Sequence, residues 1–328
     1  MSSVRIAVGR TKYTSNMAAS ALLLAGVAAV LCPHRLVFVD VAKGAVARTA
    51  DLPGDGLALF AAPDGRLVVP LAGEDATALV ETTGKVERWR GRVFPMFSAD
   101  FDRMHTVMPE EIATLSYPDR VAVLRTPLPG VRAARRAACS ADGRLVAVVP
   151  AGAGPPALVL VAVLEGGTVT RVALAAEAVA VAVAPDGSFA VAVSESGRVE
   201  VAKAGVPGPV AALDLGGAAR AVVAAPDGRG ALVGLARGLQ GEIVSVKVDL
   251  SSKHSLKERF RTALRAAPTA LAVDEEQVVA TTAEGVVVLS RTGGSVRREV
   301  ALAGAAAVAL LSPHPVSAVP PWSDGATP

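Results

Sequence analysis

Four histidines, His34, His105, His254 and His314, and two cysteines, Cys32 and Cys139, are the residues of this 328-residue chain best suited to metal ligation or nucleophilic attack. Their spacing supports neither. No His-Glu-x-x-His, Cys-x-x-Cys, Gly-x-Ser-x-Gly or Walker loop occurs, and such motifs hold ligands, nucleophiles or phosphates at fixed offsets. Two cysteines in so long a chain make no disulfide framework. Asp100 and Asp102, with Glu110 and Glu111 just beyond, supply only a fragment of a calcium loop. A worn hairpin turn accounts for them better.

Two basic clusters are the remaining candidates. The first is Arg132, Arg135 and Arg136 in "VRAARRAA". The second lies in residues 251–267, "SSKHSLKERFRTALRAA". There Ser255 and Glu258 have capping-box spacing. Leu256, Phe260 and Leu264 would form one apolar stripe on a helix, with Lys257, Arg261 and Arg265 on its flank. Their functional reading is contact with an acidic partner or a membrane surface. Their structural reading is a solvated outer strand or a surface helix. Single-stranded nucleic acid would need stacking aromatics, and aromatics are only 3% of the chain. Catalytic, cofactor-binding and metal-binding residues are therefore all expected to be absent, and no cofactor is expected.

The elements that must position these residues are legible as a repeat. The hexapeptide "AAPDGR" occurs at 61–66 and again at 224–229, with "CSADGR" at Asp142 and "VAPDGS" at Asp186 between them. Degenerate copies stand at Asp102 and at Asp274, where Glu275 and Glu276 follow. Successive aspartates are 38, 40, 44, 41 and 47 residues apart, the spacing of four-stranded propeller blades. Proline presets φ for a turn, aspartate bonds the local backbone, and glycine takes the left-handed position. Asp64, Gly65, Asp142, Gly143, Asp186, Gly187, Asp227 and Gly228 are accordingly structural turn residues. Each turn should join two antiparallel strands. A second glycine turn follows each one, around Gly84, Gly166, Gly205 and Gly293, and "VAKGAV" around Gly44 is a further copy.

The apolar content, 52%, is mostly alanine and valine. Valine favours half-buried strands, and small residues suit strands crowded about a propeller axis. The net charge of +3 is too small for a nucleic-acid footprint. "MAASALLLAGVAAVLC" at 17–32 follows Arg5, Arg10 and Lys12 and has the shape of a signal peptide. The glycine mark at Gly44 instead draws "ALLLAG", "VAAVL" and "RLVFVDVA" into a first blade. At the other end "AAAVALLSPHP" (305–315) reads as one more inner strand. Fold class is thus all-β: a seven-bladed β-propeller of four-stranded antiparallel blades, closed by N- and C-terminal strands. Residues 1–20 form an N-terminal extension, 21–315 the propeller, and 316–328 an irregular tail. A cytoplasmic location is favoured, with export through residues 1–31 as the alternative and membrane contact only if 17–32 is a signal or anchor.

The stretch "AVAVAPDGSFAVAVSESGRVEVAKAG" (178–205) resembles the bacterial YVTN/lactonase-like propellers of the WD40-like superfamily, over roughly residues 20–315. No Gly-His opens a blade and no Trp-Asp ends one. The chain has only Trp89 and Trp322, so it also lacks the tryptophan-rich repeats of quinone-dependent propeller dehydrogenases. The resemblance implies fold and leaves chemistry open. The expectation is a noncatalytic scaffold for protein partners, with Arg132, Arg135, Arg136, Lys257, Arg261 and Arg265 as possible contacts. The alternatives are a propeller hydrolase acting on a lactone-type small molecule and an exported ligand-binding propeller.

Overall fold

In the computed structural model, which describes residues 26–98, 103–164, 166–251, 254–311 and 316–317, the Asp-Gly turns link the innermost strand of a four-stranded antiparallel sheet to the next strand. Gly65, Gly143, Gly187 and Gly228 all have positive φ, between 65° and 83°. Each aspartate accepts the backbone N–H two residues on: Asp64 from Arg66, Asp142 from Arg144, Asp186 from Ser188 and Asp227 from Arg229. Seven such sheets form a ring, a seven-bladed β-propeller. Blade I takes its innermost strand from Ala307–Leu311 and the others from Val27–Cys32, Arg35–Asp40 and Ala45–Asp51. Blades II to VII follow in chain order at 60–90, 96–127, 134–173, 178–214, 218–264 and 268–301. "ALLLAG" (apart from Gly26), the turn at Asp102, and His314 lie outside the described residues.

Alternation on the inner strands makes the core. On Ala178–Val183 of blade V, Val181 and Val183 pack against blade IV, while Ala180 and Ala182 pack against blade VI. Side chains in a strand alternate between faces, so an inner strand serves two interfaces and is apolar on both faces over its packed stretch, beyond the polar residues near the start of some. The small residues let seven such strands approach one axis.

Turns also abut from blade to blade. A Cβ on Gly143 would lie 2.8 Å from Ser98 Cβ and 3.1 Å from His105 Nε2, both on blade III. On Gly187 it would lie 3.4 Å from Leu145 Cβ of blade IV. Where a blade carries a second glycine turn, in blades I, II, IV, V and VII, that turn meets the outer strand of the blade before it. A Cβ on Gly167 would come 3.0 Å from Thr126 Cγ2, Gly205 N–H donates to Thr170 Oγ1 at 2.8 Å, and Thr262 Oγ1 donates to the Gly294 carbonyl at 2.7 Å. In "RTGGSV" the left-handed residue is Gly294, φ 69°, and not Gly293.

Residues 255–265 differ from the helical alternative. Ser255–Leu264 is the outer strand of blade VI and pairs over its whole length with Gln240–Asp249. That strand's free edge outweighs local helix propensity. A bulge at Arg259 flips the facing partway: Leu256 packs on the blade V–VI core, and Phe260 and Leu264 on the VI–VII core. Phe260 and Leu264, four apart and both beyond the bulge, share a face as an even spacing on a strand requires, while the bulge sends Leu256 to the other. Within the stretch assigned to an irregular tail, Val316–Ser317 adds a fifth strand to blade VII, pairing with Pro268–Val273. An innermost strand leaves one backbone edge unpaired, and a returning chain can satisfy it.

Candidate interaction surfaces

The inner strands of blades IV to VII share one irregularity. Each carries a bulge near its start, at Arg135, Val179, Arg220 and Thr269. A bulge adds an unpaired residue and re-aims its side chain. Arg135 pairs with Glu177 at 2.7 Å. Arg136 Nε donates to the Val179 carbonyl at 2.7 Å, so its guanidinium ties the inner strands of blades IV and V together. Arg132, exposed in the loop before blade IV, and Arg220, exposed at the blade VI bulge, make no hydrogen bond or ion pair among the described residues. The first basic cluster therefore lies where inner strands begin, on the face formed by the interblade loops.

The second cluster lies on the outer strand of blade VI and is largely committed to its own blade. Arg261 contacts Glu258 at 2.8 Å and Glu242 at 2.5 Å, and donates to the Leu215 carbonyl at 3.2 Å. The hydrogen bond from Arg261 holds Glu258 below the ordinary carboxylate range. Arg265 lies 3.8 Å from Glu299, and Lys257 is exposed.

Comparison of the outer strands brings out a different feature. Those of blades I, III, VI and VII all bulge, at Ala47, Val123, Arg259 and Arg297. Blades VI and VII place arginine at the bulge, a charged edge of the kind that discourages further strand pairing. Blade III places Val123, 55% exposed, between Val121 at 63% and Leu124 at 38%. The only charge on Ala122–Pro127 is Arg125, and Glu111 pairs with it. Reading along the chain did not isolate this patch, because "RVAVLRTP" looks like any buried strand. Aligning it with "SLKERFRTAL" and "VRREVA", the outer strands of blades VI and VII, would have shown the missing charges.

Groups capable of reaction are held inert. His105 is fully buried on blade III, with Nδ1 2.9 Å from Thr114 Oγ1 and Nε2 facing Gly143 without a well-formed hydrogen bond. Burial, with the Arg103 charge, pushes its pKa down to about 4, so it is neutral at pH 7. The Cys139 thiol donates to the Phe97 carbonyl at 3.3 Å, and burial pushes its pKa up to about 12. Burial also raises Cys32. A reactive thiol needs the opposite shift. Among the described residues no group of three or more histidine, cysteine or acidic side chains could hold a metal ion. His34, 3.2 Å from Asp55, and His254 are exposed and far apart in the fold.

No family model matches this chain. No curated protein matches it either. Solved structures do. A functionally unknown protein from Desulfotomaculum acetoxidans DSM 771 superposes with a TM-score of 0.67 at 15% identity, covering 85% of this chain and 96% of that one. The Cps50 (Swd1) β-propeller domain from Myceliophteria thermophila gives 0.60 at 14% identity, covering 81% and 96%. Hydrazine synthase from Kuenenia stuttgartiensis gives 0.57 at 15%, covering 74% and 78%. At these identities the likeness is one of fold, and what this chain shares with its neighbours is the propeller.

Proposed function

We propose that this chain is a noncatalytic β-propeller that docks protein partners, and that the outer rim of blade III is its principal contact. The observation that carries this reading is the apolar trio Val121, Val123 and Leu124 on an outer strand whose counterparts in blades VI and VII display arginine at the bulge. Exposed apolar groups gathered at one spot favour association in a way that scattered ones do not. The bulge at Val123 interrupts the ladder, so the contact is made by side chains more than by strand addition. Arg132, with Arg135 and Arg136, is a secondary contact on the loop face. The Pro-Asp-Gly repeat supports a place in the YVTN/lactonase-like branch. Retention in the cytoplasm is favoured because cleavage after residue 31 would remove most of Val27–Cys32, a strand with Ala28 to Cys32 at most 2% exposed.

The test is a paired binding experiment with Val121→Lys/Val123→Lys. Partners cross-linked to the wild-type protein in its host should be lost from the variant while its melting temperature stays unchanged. A variant that keeps the whole partner set would end the proposal for this rim.

A further inference from the structure

Among the described residues, the axial edge of an inner strand is paired in blade VII alone. Val316–Ser317 lies along Pro268–Val273 there, with Val316 opposite Val273 and Ser317 opposite Ala272. It also lies beside the inner strands of blades VI and I, Ala218–Ala224 and Ala307–Leu311. It therefore stands inside the central channel. Pro268–Val273 runs from the interblade-loop face towards the Asp-Gly face. Its antiparallel partner thus enters at the Asp-Gly face and heads for the other mouth. Residues 318–328, "AVPPWSDGATP", follow.

We infer that residues 318–328 thread this channel and close it from within, with Trp322 at the loop-face mouth and Asp324 paired with Arg220. The inference is independent of the blade III rim. Continuing the register sets Ala318 opposite Leu271 and Val319 opposite Ala270. Pro320 and Pro321 then fall opposite Thr269 and Pro268, where the inner strand of blade VII bulges and begins. A proline cannot donate to a ladder, so the ladder ends where its template ends. Ala318 is small, as a crowded axis requires. Residues 318–321 span roughly 13 Å when extended, which brings Trp322 to the mouth. Charge fits as well. The only charged residues on the seven inner strands are Arg135, Arg136 and Arg220, all near that mouth. Arg135 is paired with Glu177 at 2.7 Å, and Arg136 donates to the Val179 carbonyl. Arg220 is exposed at the bulge of blade VI, beside blade VII. The Glu195 carbonyl accepts the neighbouring Ala219 N–H at 3.2 Å, yet the Glu195 side chain makes no bond to Arg220. Asp324 is the only charged side chain of residues 318–328, and the three residues from Pro321 to it cover roughly 10 Å. A ligand entering the channel must first displace this segment.

Tryptophan fluorescence tests this, because Trp89 and Trp322 are the only tryptophans of the chain. In the full chain carrying Trp89→Phe, Trp322 should emit to the blue of its position in urea, and acrylamide should quench it several-fold less than in urea. Arg220→Glu or Asp324→Lys in that background should raise quenching towards the urea value while circular dichroism shows the propeller folded. The swapped pair Arg220→Glu/Asp324→Lys should restore protection. Folded protein in which Trp322 is quenched as in urea overturns the inference. So does protection that neither charge reversal reduces, or a swapped pair as quenchable as its single parents. Protection that grows with protein concentration also overturns it, since the ring would then sit in a second copy. If Trp89→Phe does not fold, the difference between wild type and Trp322→Phe reads the same ring.

Discussion

Gly143 shows how one residue can satisfy two demands at once. Its φ of 67° excludes most side chains, and the space where a Cβ would sit belongs to Ser98 and His105 of the neighbouring blade. Gly228 meets only the first demand strictly, since a Cβ there would lie 3.7 Å from the Asp186 carboxyl. Gly228→Ala should therefore cost about 1 kcal/mol, from strain alone. Gly143→Ala should cost about 2–3 kcal/mol, because the neighbours must also move. Urea melts of both variants check the order, and equal midpoints would refute the account. His105 supports a second prediction. Its folded pKa of about 4 lies below the ordinary 6.5, so the unfolded chain binds the extra proton first as pH falls. Its contribution is fully present above pH 6.5 and lost as pH drops towards 4, up to about 3 kcal/mol. His105→Gln should flatten that part of the stability–pH curve. A variant curve parallel to the wild type would show that the histidine does not titrate in this way. The turn glycines were readable from the sequence, since the Pro-Asp-Gly signature states their backbone need. The role of His105 was not, because its partners Thr114 and Gly143 are brought to it only by pairing and by the next blade.

At the level of elements, strands and turns were legible wherever local chemistry decides them. The inner and second strands flank a turn that names itself. Outer strands carry weaker signals, since one edge meets water and charge is tolerated there; hence the ambiguity of 255–265, which the free edge of Gln240–Asp249 resolved. The inner-strand bulges were illegible, because "AARRAAC" and "AVAVAV" differ in composition yet share the same offset in pairing. Glu200 shows a further hidden device. It is 3% exposed on the third strand of blade V, and its carboxylate accepts the Ala175 N–H of the loop entering that blade, at 3.1 and 3.3 Å. Glu200→Ala should destabilise by about 1–3 kcal/mol, leaving a donor unsatisfied. Glu200→Gln keeps an acceptor oxygen and should cost less. Calorimetry of the two variants distinguishes this tie from simple packing, which would rank them alike.

The whole molecule depends on closure. Ala307–Leu311 pairs in register with Val27–Cys32, from Val27↔Leu311 to Leu31↔Ala307, and buries Ala309 completely between blades. Ala309→Pro removes a donor and obstructs the strand. It should lower the unfolding free energy by about 3 kcal/mol or more, and should do so for every blade together if the ring unfolds as one unit. Hydrogen exchange checks this: protection should fall in blade V as well as in blade I. Loss confined to blade I would mean that the blades unfold independently, as in open solenoids. That the ends share a blade was readable from the glycine mark at Gly44 and the inner-strand pattern at 305–311. The exposed apolar trio of blade III was not, since its missing charges show only once the outer strands are compared around the ring.

Blade I also sets an order of events during synthesis. Val27–Cys32 leaves the ribosome before blades II to VII, yet the strand that covers it, Ala307–Leu311, follows the four main strands of each of them. Throughout translation the nascent polypeptide carries an open, apolar β-edge, the kind of surface that templates pairing with other chains. Chains cut short anywhere before residue 307 would therefore clump and not linger as soluble fragments, and the strand that closes the ring is the one that makes the protein safe to release.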